Sequence, residues 1–144
     1  MSAQEIFELQ RLEYVLDTSG IQGALRFLNG RTPHRCTAIY RLRGLQLQSL
    51  YLFDRLGERH AQHTVSRLDD SFCLHAAGSG PPPAGEPAPG WPASYYSLPL
   101  SRRPGDLFGT LCHFDYEPRL VLPDTELSFL QRAAHVLVPH LTLQ

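Results

Sequence analysis

The sequence predicts an α+β fold in which an antiparallel sheet carries its helices grouped on one face. The 144 residues suffice for one domain with its own core, over 1–144. Strand-forming segments come in two pairs, each joined by a short turn rich in glycine and arginine. Helical segments precede the first pair and follow the second, which is the order of an α+β layer architecture.

The first helix is predicted over 2–17, because Ser2 and Glu5 have the spacing of a capping box. Its apolar residues cover more than one face, so this helix is a candidate dimer element. Thr18-Ser-Gly20 should break it, and a second helix is predicted over 21–28. Asn29-Gly30 then gives a stop signal in which glycine takes up the left-handed conformation.

The first hairpin is predicted from strands at 36–42 and 45–53, and a short strand is expected near Val65. Asp69-Asp-Ser71 is a helix N-cap signal, so a short helix is predicted to about Ala77. Residues 78–94 contain six of the twelve prolines and four of the eleven glycines. We expect a loop without regular structure there.

The second hairpin is predicted from strands at 95–100 and 106–115, with Pro99 at a sheet edge or a bulge. The 106–115 strand is expected at the centre of the sheet. A last helix is predicted over 124–143, with Pro139 kinking its final turn. Its apolar residues recur at spacings of three and four, which is typical of a coiled-coil seam and favours a homodimer. The alternative is that this seam covers the sheet; its members are Leu127, Leu130, Ala134, Leu137 and Leu141.

Composition excludes several partners. The net charge of −1 gives no electrostatic attraction to nucleic acid or to an anionic membrane surface. No apolar run approaches the roughly 18 residues of a membrane span, and the acidic N-terminus is unlike a secretory signal, so we expect a cytoplasmic protein. The three cysteines are widely spaced, which argues against a disulfide framework and a structural zinc site. His60 and His63 have no strong third ligand nearby, so no metal site is predicted.

Three segments together resemble the GAF domain family: Asp70-Ser-Phe-Cys73, Tyr95-Tyr-Ser-Leu-Pro-Leu100 and Gly105-Asp-Leu-Phe-Gly-Thr-Leu-Cys-His-Phe-Asp115. The resemblance spans nearly the whole chain. It implies a sheet of about six strands with the terminal helices on one face. It also implies a small-molecule pocket, covered by the short helix and loops, on the other face. Terminal helices of the family often form a dimer bundle.

Aromatic and hydroxyl side chains of such a pocket suit a planar or mid-sized organic ligand, with no cofactor assigned. Strand alternation places Cys112 and His113 on opposite faces, so they cannot act as a nucleophile–base pair. Cys73 could meet Cys112 across the pocket as a redox-sensitive thiol pair. The candidate ligand-binding residues are Tyr40, Tyr51, Phe53, Phe72, Cys73, Tyr95, Ser97, Cys112 and His113.

The leading functional hypothesis is a non-catalytic, small-molecule-sensing module that acts on a separate signalling partner. The sequence lacks a phosphate-binding loop, G-x-S-x-G and H-E-x-x-H. One alternative is a thiol-dependent enzyme related to the free methionine-(R)-sulfoxide reductases of the same family. Their catalytic thiols lie around the segment before the second hairpin, whereas 78–94 contains no cysteine here. Another alternative is a protein-interaction scaffold without a ligand.

Overall fold

The computed structural model describes residues 2–60, 65–67 and 92–142. The predicted short helix over 71–77, and with it Phe72 and Cys73, lies outside the described residues. In chain order the elements are α1 (Ala3–Asn29), β1 (Cys36–Arg43), β2 (Gln46–Asp54), β3 (Val65–Arg67), β4 (Ser94–Arg103), β5 (Asp106–Asp115) and α2 (Asp124–Thr142).

The sheet has the strand order β3-β2-β1-β5-β4, and every neighbouring pair is antiparallel. The described residues form five strands, one fewer than the six or so that were expected. β1 occupies the middle position, so the prediction that 106–115 forms the central strand was wrong. β5 is an interior strand between β1 and β4. Pro99 lies in β4, at the end of the described sheet, as its missing N–H requires.

Helix α1 begins as predicted, because Ser2 Oγ accepts a hydrogen bond from the backbone N–H of Glu5 at 3.1 Å. Gly20 interrupts the helix with φ 70° and ψ −166°, which confirms the predicted break. The prediction of a left-handed Gly30 was wrong. Gly30 has φ −65° and ψ −12° and donates its N–H to Arg26 O, so the helix ends in a right-handed turn.

One face of the sheet is covered by α1 and α2, and the larger core lies between these helices and the sheet. This core joins Leu25 of α1, Ile39 and Leu111 of the sheet, and Leu130 and Leu137 of α2. The seam predicted for a dimer is therefore used within the chain: four of its five members are buried in this core. Apolar spacing alone could not show whether the helix packs on a sheet or on a second copy. Within the described residues, neither helix combines the length and apolarity that a membrane span needs.

The opposite face, here called the second face, has a smaller core and no described helix over it. Its residues come from the three inner strands, β2, β1 and β5, and from the edge strand β4, and their alternation is consistent with a strand period of two. The buried members are Cys36, Ala38, Leu47, Tyr95, Cys112 and Phe114.

Candidate ligand site on the second face

An open cleft of about 620 Å³ lies on the second face of the sheet. Tyr40 pairs with Ser49 across a register shift, and Ala38 pairs with Leu52, so alternation turns these β1 and β2 side chains toward the same face. The lining is aromatic on one side and polar on the other. It consists of Tyr40, Ser49, Leu52, Glu58, Arg59, His60, Phe114 and Tyr116.

Asp54 organises the polar side of the cleft. Its carboxylate accepts hydrogen bonds from the backbone N–H groups of Leu56, Glu58 and Arg59 at 2.9–3.1 Å. Arg35 donates to both carboxylate oxygens, at 2.7 and 2.8 Å, and holds the pKa of Asp54 well below its usual range. The ionised carboxylate therefore fixes the turn after β2, which presents the side chains of the 58–60 segment to the cleft.

The aromatic side of the cleft is built on the end of β5. The Phe114 and Tyr116 rings meet edge to face, with centroids 6.0 Å apart. The Arg59 guanidinium lies 4.2 Å from the Tyr116 ring centroid. A cation over an aromatic face gains electrostatic attraction from the ring quadrupole. The cleft therefore presents a flat aromatic surface, from Phe114 and Tyr116, next to the positive charge of Arg59.

Four of the predicted site residues lie on the second face. Tyr40 lines the cleft. Tyr95, Ser97 and Cys112 belong to the buried layer of that face, where the Cys112 thiol lies 3.5 Å from Ser97 Oγ. They are placed to shape the floor of the face and do not themselves line the cleft.

Three other predicted residues lie on the helix side. Thr37 pairs with Phe53 in β2 and with His113 in β5, so all three share one face. Tyr51 pairs with Ile39, which belongs to the larger core. The nine candidates therefore do not surround one pocket, because strand register divides the seven described ones between two faces. Phe72 and Cys73 lie outside the described residues.

His113 instead belongs to a buried polar cluster on the helix side, together with His34. The two rings stack with centroids 6.2 Å apart. Burial lowers the pKa of His113 to about 3 and that of His34 to about 4, so both imidazoles are neutral near pH 7. His34 was missed by the sequence analysis, because a histidine in a loop after Pro33 gives no sign that it is buried.

The described thiols are not poised for chemistry. Cys36 is fully buried, and burial raises the pKa of its thiol to about 12. Cys112 is also fully buried. The proposed pairing of Cys112 with Cys73 lies partly outside the described residues. Over residues 2–60, 65–67 and 92–142, no group of three or more His, Cys, Asp or Glu side chains could hold a metal ion.

No family model matches this sequence, and no curated protein matches it either. Solved structures do resemble the fold. The GAF domain of an Acinetobacter phosphoenolpyruvate-protein phosphotransferase superimposes with a TM-score of 0.77 at 14% identity, covering 99% of this chain and 95% of that one. The chromophore-binding domain of a Stigmatella aurantiaca bacteriophytochrome gives 0.71 at 10% identity, covering 99% of this chain.

The chromophore-binding domain of an unusual R. palustris bacteriophytochrome gives a TM-score of 0.70 at 14% identity, again covering 99% of this chain. The chain spans only 61% and 62% of the two bacteriophytochrome structures. At such identities these likenesses show the fold alone. This chain has a GAF-like fold.

Proposed function

We propose that this protein is a non-catalytic, small-molecule-sensing module whose ligand binds in the cleft on the second face. The observation that carries the proposal is the cleft itself: about 620 Å³ of open space on the face that no described helix covers. Concave sites of this size, with aromatic walls and a few polar groups, are typical of small-molecule binding. The two bacteriophytochrome structures with the same fold are chromophore-binding domains, which supports this use of the fold.

The lining favours a planar organic ligand. Tyr40, Phe114 and Tyr116 offer flat apolar surface, while Ser49 and His60 offer hydrogen-bonding groups at the edge. Arg59 makes no ion pair within the described residues, so its guanidinium can meet a polar or anionic substituent of the ligand. The ring stacks on the aromatic wall, and the substituent fixes its orientation.

The response to the ligand would pass through the sheet to the terminal helices and from there to a separate protein. Tyr40 lies on β1, the middle strand, whose opposite face packs against α1. The outer surface of α1 exposes Ile6, Phe7 and Tyr14. We assign this apolar surface to a homodimer contact. The seam of α2 cannot form that contact, because it is buried in the core of the same chain.

Native mass spectrometry of the purified protein tests the proposal, since it reports bound ligand and oligomer together. Tyr40→Ala should lose any co-purifying molecule or weaken its binding about tenfold or more, because a stacking wall is removed. Leu45→Ala is the control, since Leu45 is exposed in the turn between β1 and β2 and does not line the cleft. A ligand retained equally by both variants would place the site elsewhere.

A further inference from the structure

A second cavity of about 370 Å³ lies at the end of the sheet where β1 begins and β2 and β5 end. Tyr116 borders both this cavity and the cleft on the second face, whereas Tyr40 lines only the cleft. We call it the end cavity. Its lining combines apolar and charged side chains. The apolar ones are Pro33, Leu56 and Tyr116, and the charged ones are Arg35, Arg55, Asp115, Glu117 and Arg119.

The charges around the end cavity are unequally matched. The buried carboxylate of Asp54 pairs with Arg35, and that of Asp115 pairs with Arg119 at 2.7 Å. Arg55 has no carboxylate partner among the described residues. Its guanidinium donates to Asn29 Oδ1 at 3.0 Å, to the carbonyl of the same residue at 2.8 Å and to Thr32 O at 2.9 Å.

Two further carboxylates are largely exposed: Glu117, in the lining, is 74% exposed, and Glu58, which pairs with Arg35, is 70% exposed. Water and salt screen such groups strongly. They therefore do little to cancel a positive charge on the cavity wall. The guanidinium of Arg55 remains as the unmatched charge.

Hydrogen-bond donors are also available. Arg55 uses its Nε and Nη2 groups, and Arg119 uses Nε with Asp115 and Nη2 with Glu117. The Nη1 groups of both arginines have no partner within the described residues. Burial is the main cause that lowers the pKa of His34; Asp115 opposes it, and Arg119 and Arg55 lower it further. Both arginines line the same cavity, and both guanidiniums act on the His34 imidazole.

We propose that the end cavity binds a small organic anion, a carboxylate or a phosphate ester, held between Arg55 and Arg119. Guanidinium groups match the planar geometry of a carboxylate and also bind phosphate oxygens. The apolar body of the ligand packs on Pro33, Leu56 and Tyr116. This site is distinct from the cleft of the proposed function, and neither requires the other.

Titration of the ¹⁵N-labelled protein with benzoate and, separately, with phenyl phosphate tests the inference at constant ionic strength. We expect saturable amide shifts at residues of the lining and its neighbours that carry an N–H group: His34, Arg35, Asp115, Tyr116, Glu117 and Arg119. Arg119→Gln should weaken binding about tenfold or more, because a charge-assisted hydrogen bond is lost. Arg102→Gln is the matched control and should leave binding unchanged, since Arg102 pairs with Asp106 at the same i,i+4 spacing on the distant hairpin.

Arg55→Lys should weaken binding as well, because lysine keeps the charge and loses the planar fork. Saturation by one probe and not by the other identifies the oxyanion that the site takes. Shifts that chloride reproduces, that do not saturate, or that survive in Arg119→Gln would overturn the inference. If Arg119→Gln does not fold, Arg55→Lys decides in its place. Tyr40→Ala should leave these shifts intact, so failure of the cleft and failure of the end cavity are separable.

Discussion

Thr37 Oγ1 of the middle strand lies 2.7 Å from Nδ1 of the buried His113, and the direction of this hydrogen bond follows from its neighbours. Arg55 donates to Asn29 Oδ1, so the Asn29 amide nitrogen is the group that faces Thr37 Oγ1, at 2.9 Å. With that donation accepted, the Thr37 hydroxyl is free to donate to His113 Nδ1. This assignment puts the imidazole proton on Nε2, and His113 Nε2 is then the one group of this pair without a partner within the described residues. With the proton on Nδ1, both His113 Nε2 and the Thr37 hydroxyl proton would lack a partner there.

Acid should destabilise the protein through this cluster. Burial lowers the pKa of His34 to about 4 and of His113 to about 3, whereas an unfolded histidine titrates near 6.5. Between these values the unfolded chain binds more protons than the folded one. The free energy of unfolding should therefore fall as pH falls below about 6.5, by up to about 1.4 kcal/mol per pH unit for each imidazole.

Urea unfolding across this pH range measures the slope. His113→Gln should lower the slope of unfolding free energy against pH by the contribution of one proton, because an amide does not titrate in this range. His135→Gln is the control and should leave the slope unchanged, since His135 is exposed on α2. Equal slopes for His113→Gln and the parent protein would show that His113 is already protonated in the fold.

Arg31→Met should destabilise the protein by about 3 kcal/mol, because it leaves the largely buried carboxylate of Glu126 unpaired and leaves Glu8 with only the more exposed Arg11 as a partner. Arg31 bridges Glu8 at 3.0 Å and Glu126 at 2.9 Å, and its guanidinium lies 3.8 Å from the Phe129 ring centroid. The two carboxylate side chains are only 11% and 13% exposed. Chemical denaturation should show the loss.

The control for Arg31 is Arg102→Met, which removes the more exposed pair with Asp106. That change should cost less than about 1 kcal/mol. Similar losses for the two variants would show that the bridge between α1 and α2 is no stronger than a surface ion pair.

Gly109→Ala should disrupt the pairing of β1 with β5. A Cβ atom at this position would overlap the backbone carbonyl of Tyr40 and lie 3.0 Å from Arg41 Cα. Backbone atoms of a central strand cannot move aside, so we expect a loss of about 3 kcal/mol or more. Gly30→Ala is the control: its nearest neighbour is Phe27 O at 3.4 Å, and its right-handed conformation suits alanine. A Gly109→Ala protein with unchanged Tm would contradict this packing.

Local patterns predicted the elements well. The strand at 106–115 has the predicted bounds, because a glycine turn marks its start and an acidic turn marks its end. Its place in the sheet was not predictable in this way. Strand order depends on pairing between β1 and β5, which are far apart in the chain. The need for glycine at position 109 could not be predicted either, because it depends on the β1 backbone that packs against Gly109 in the folded sheet.

The candidate site was predicted less well, for two physical reasons. A strand pattern shows that Tyr51 and Phe53 are on one face, but the pairing with β1 decides that this face is the helix side. Arg59 and Tyr116 lie just beyond strand ends, where no periodicity applies. Hydrogen bonds to Asp54 set the position of Arg59, and those bonds have no signature in the sequence.

The described thiols should be inert in the native protein. In a Cys73→Ser background, Cys36 and Cys112 are the remaining cysteines, and both are fully buried. Burial raises the pKa of Cys36 to about 12, so its nucleophilic thiolate is scarce at neutral pH. A thiol-specific reagent should label this variant only on unfolding. Rapid labelling of the folded variant would revive the thiol-enzyme hypothesis without Cys73.

Dimerisation through α1 is expected to depend on Phe7. Phe7 and Tyr14 are seven residues apart, hence on one stripe of the helix, and are 55% and 69% exposed. Placing a charge at position 7 of both copies removes apolar burial worth about 1.5–3 kcal/mol per side chain. Phe7→Glu should therefore weaken the dimer by about tenfold or more in sedimentation velocity.

Leu120→Glu is the matched control for Phe7→Glu, because Leu120 is 84% exposed and lies in the connection between β5 and α2. It introduces the same charge at an exposed apolar residue away from α1 and should leave the dimer intact. A parent protein that sediments as a monomer at micromolar concentration would overturn the dimer outright. Loss of the dimer in both variants would instead point to an interface at the β5–α2 connection, since Leu120 would then lie in it.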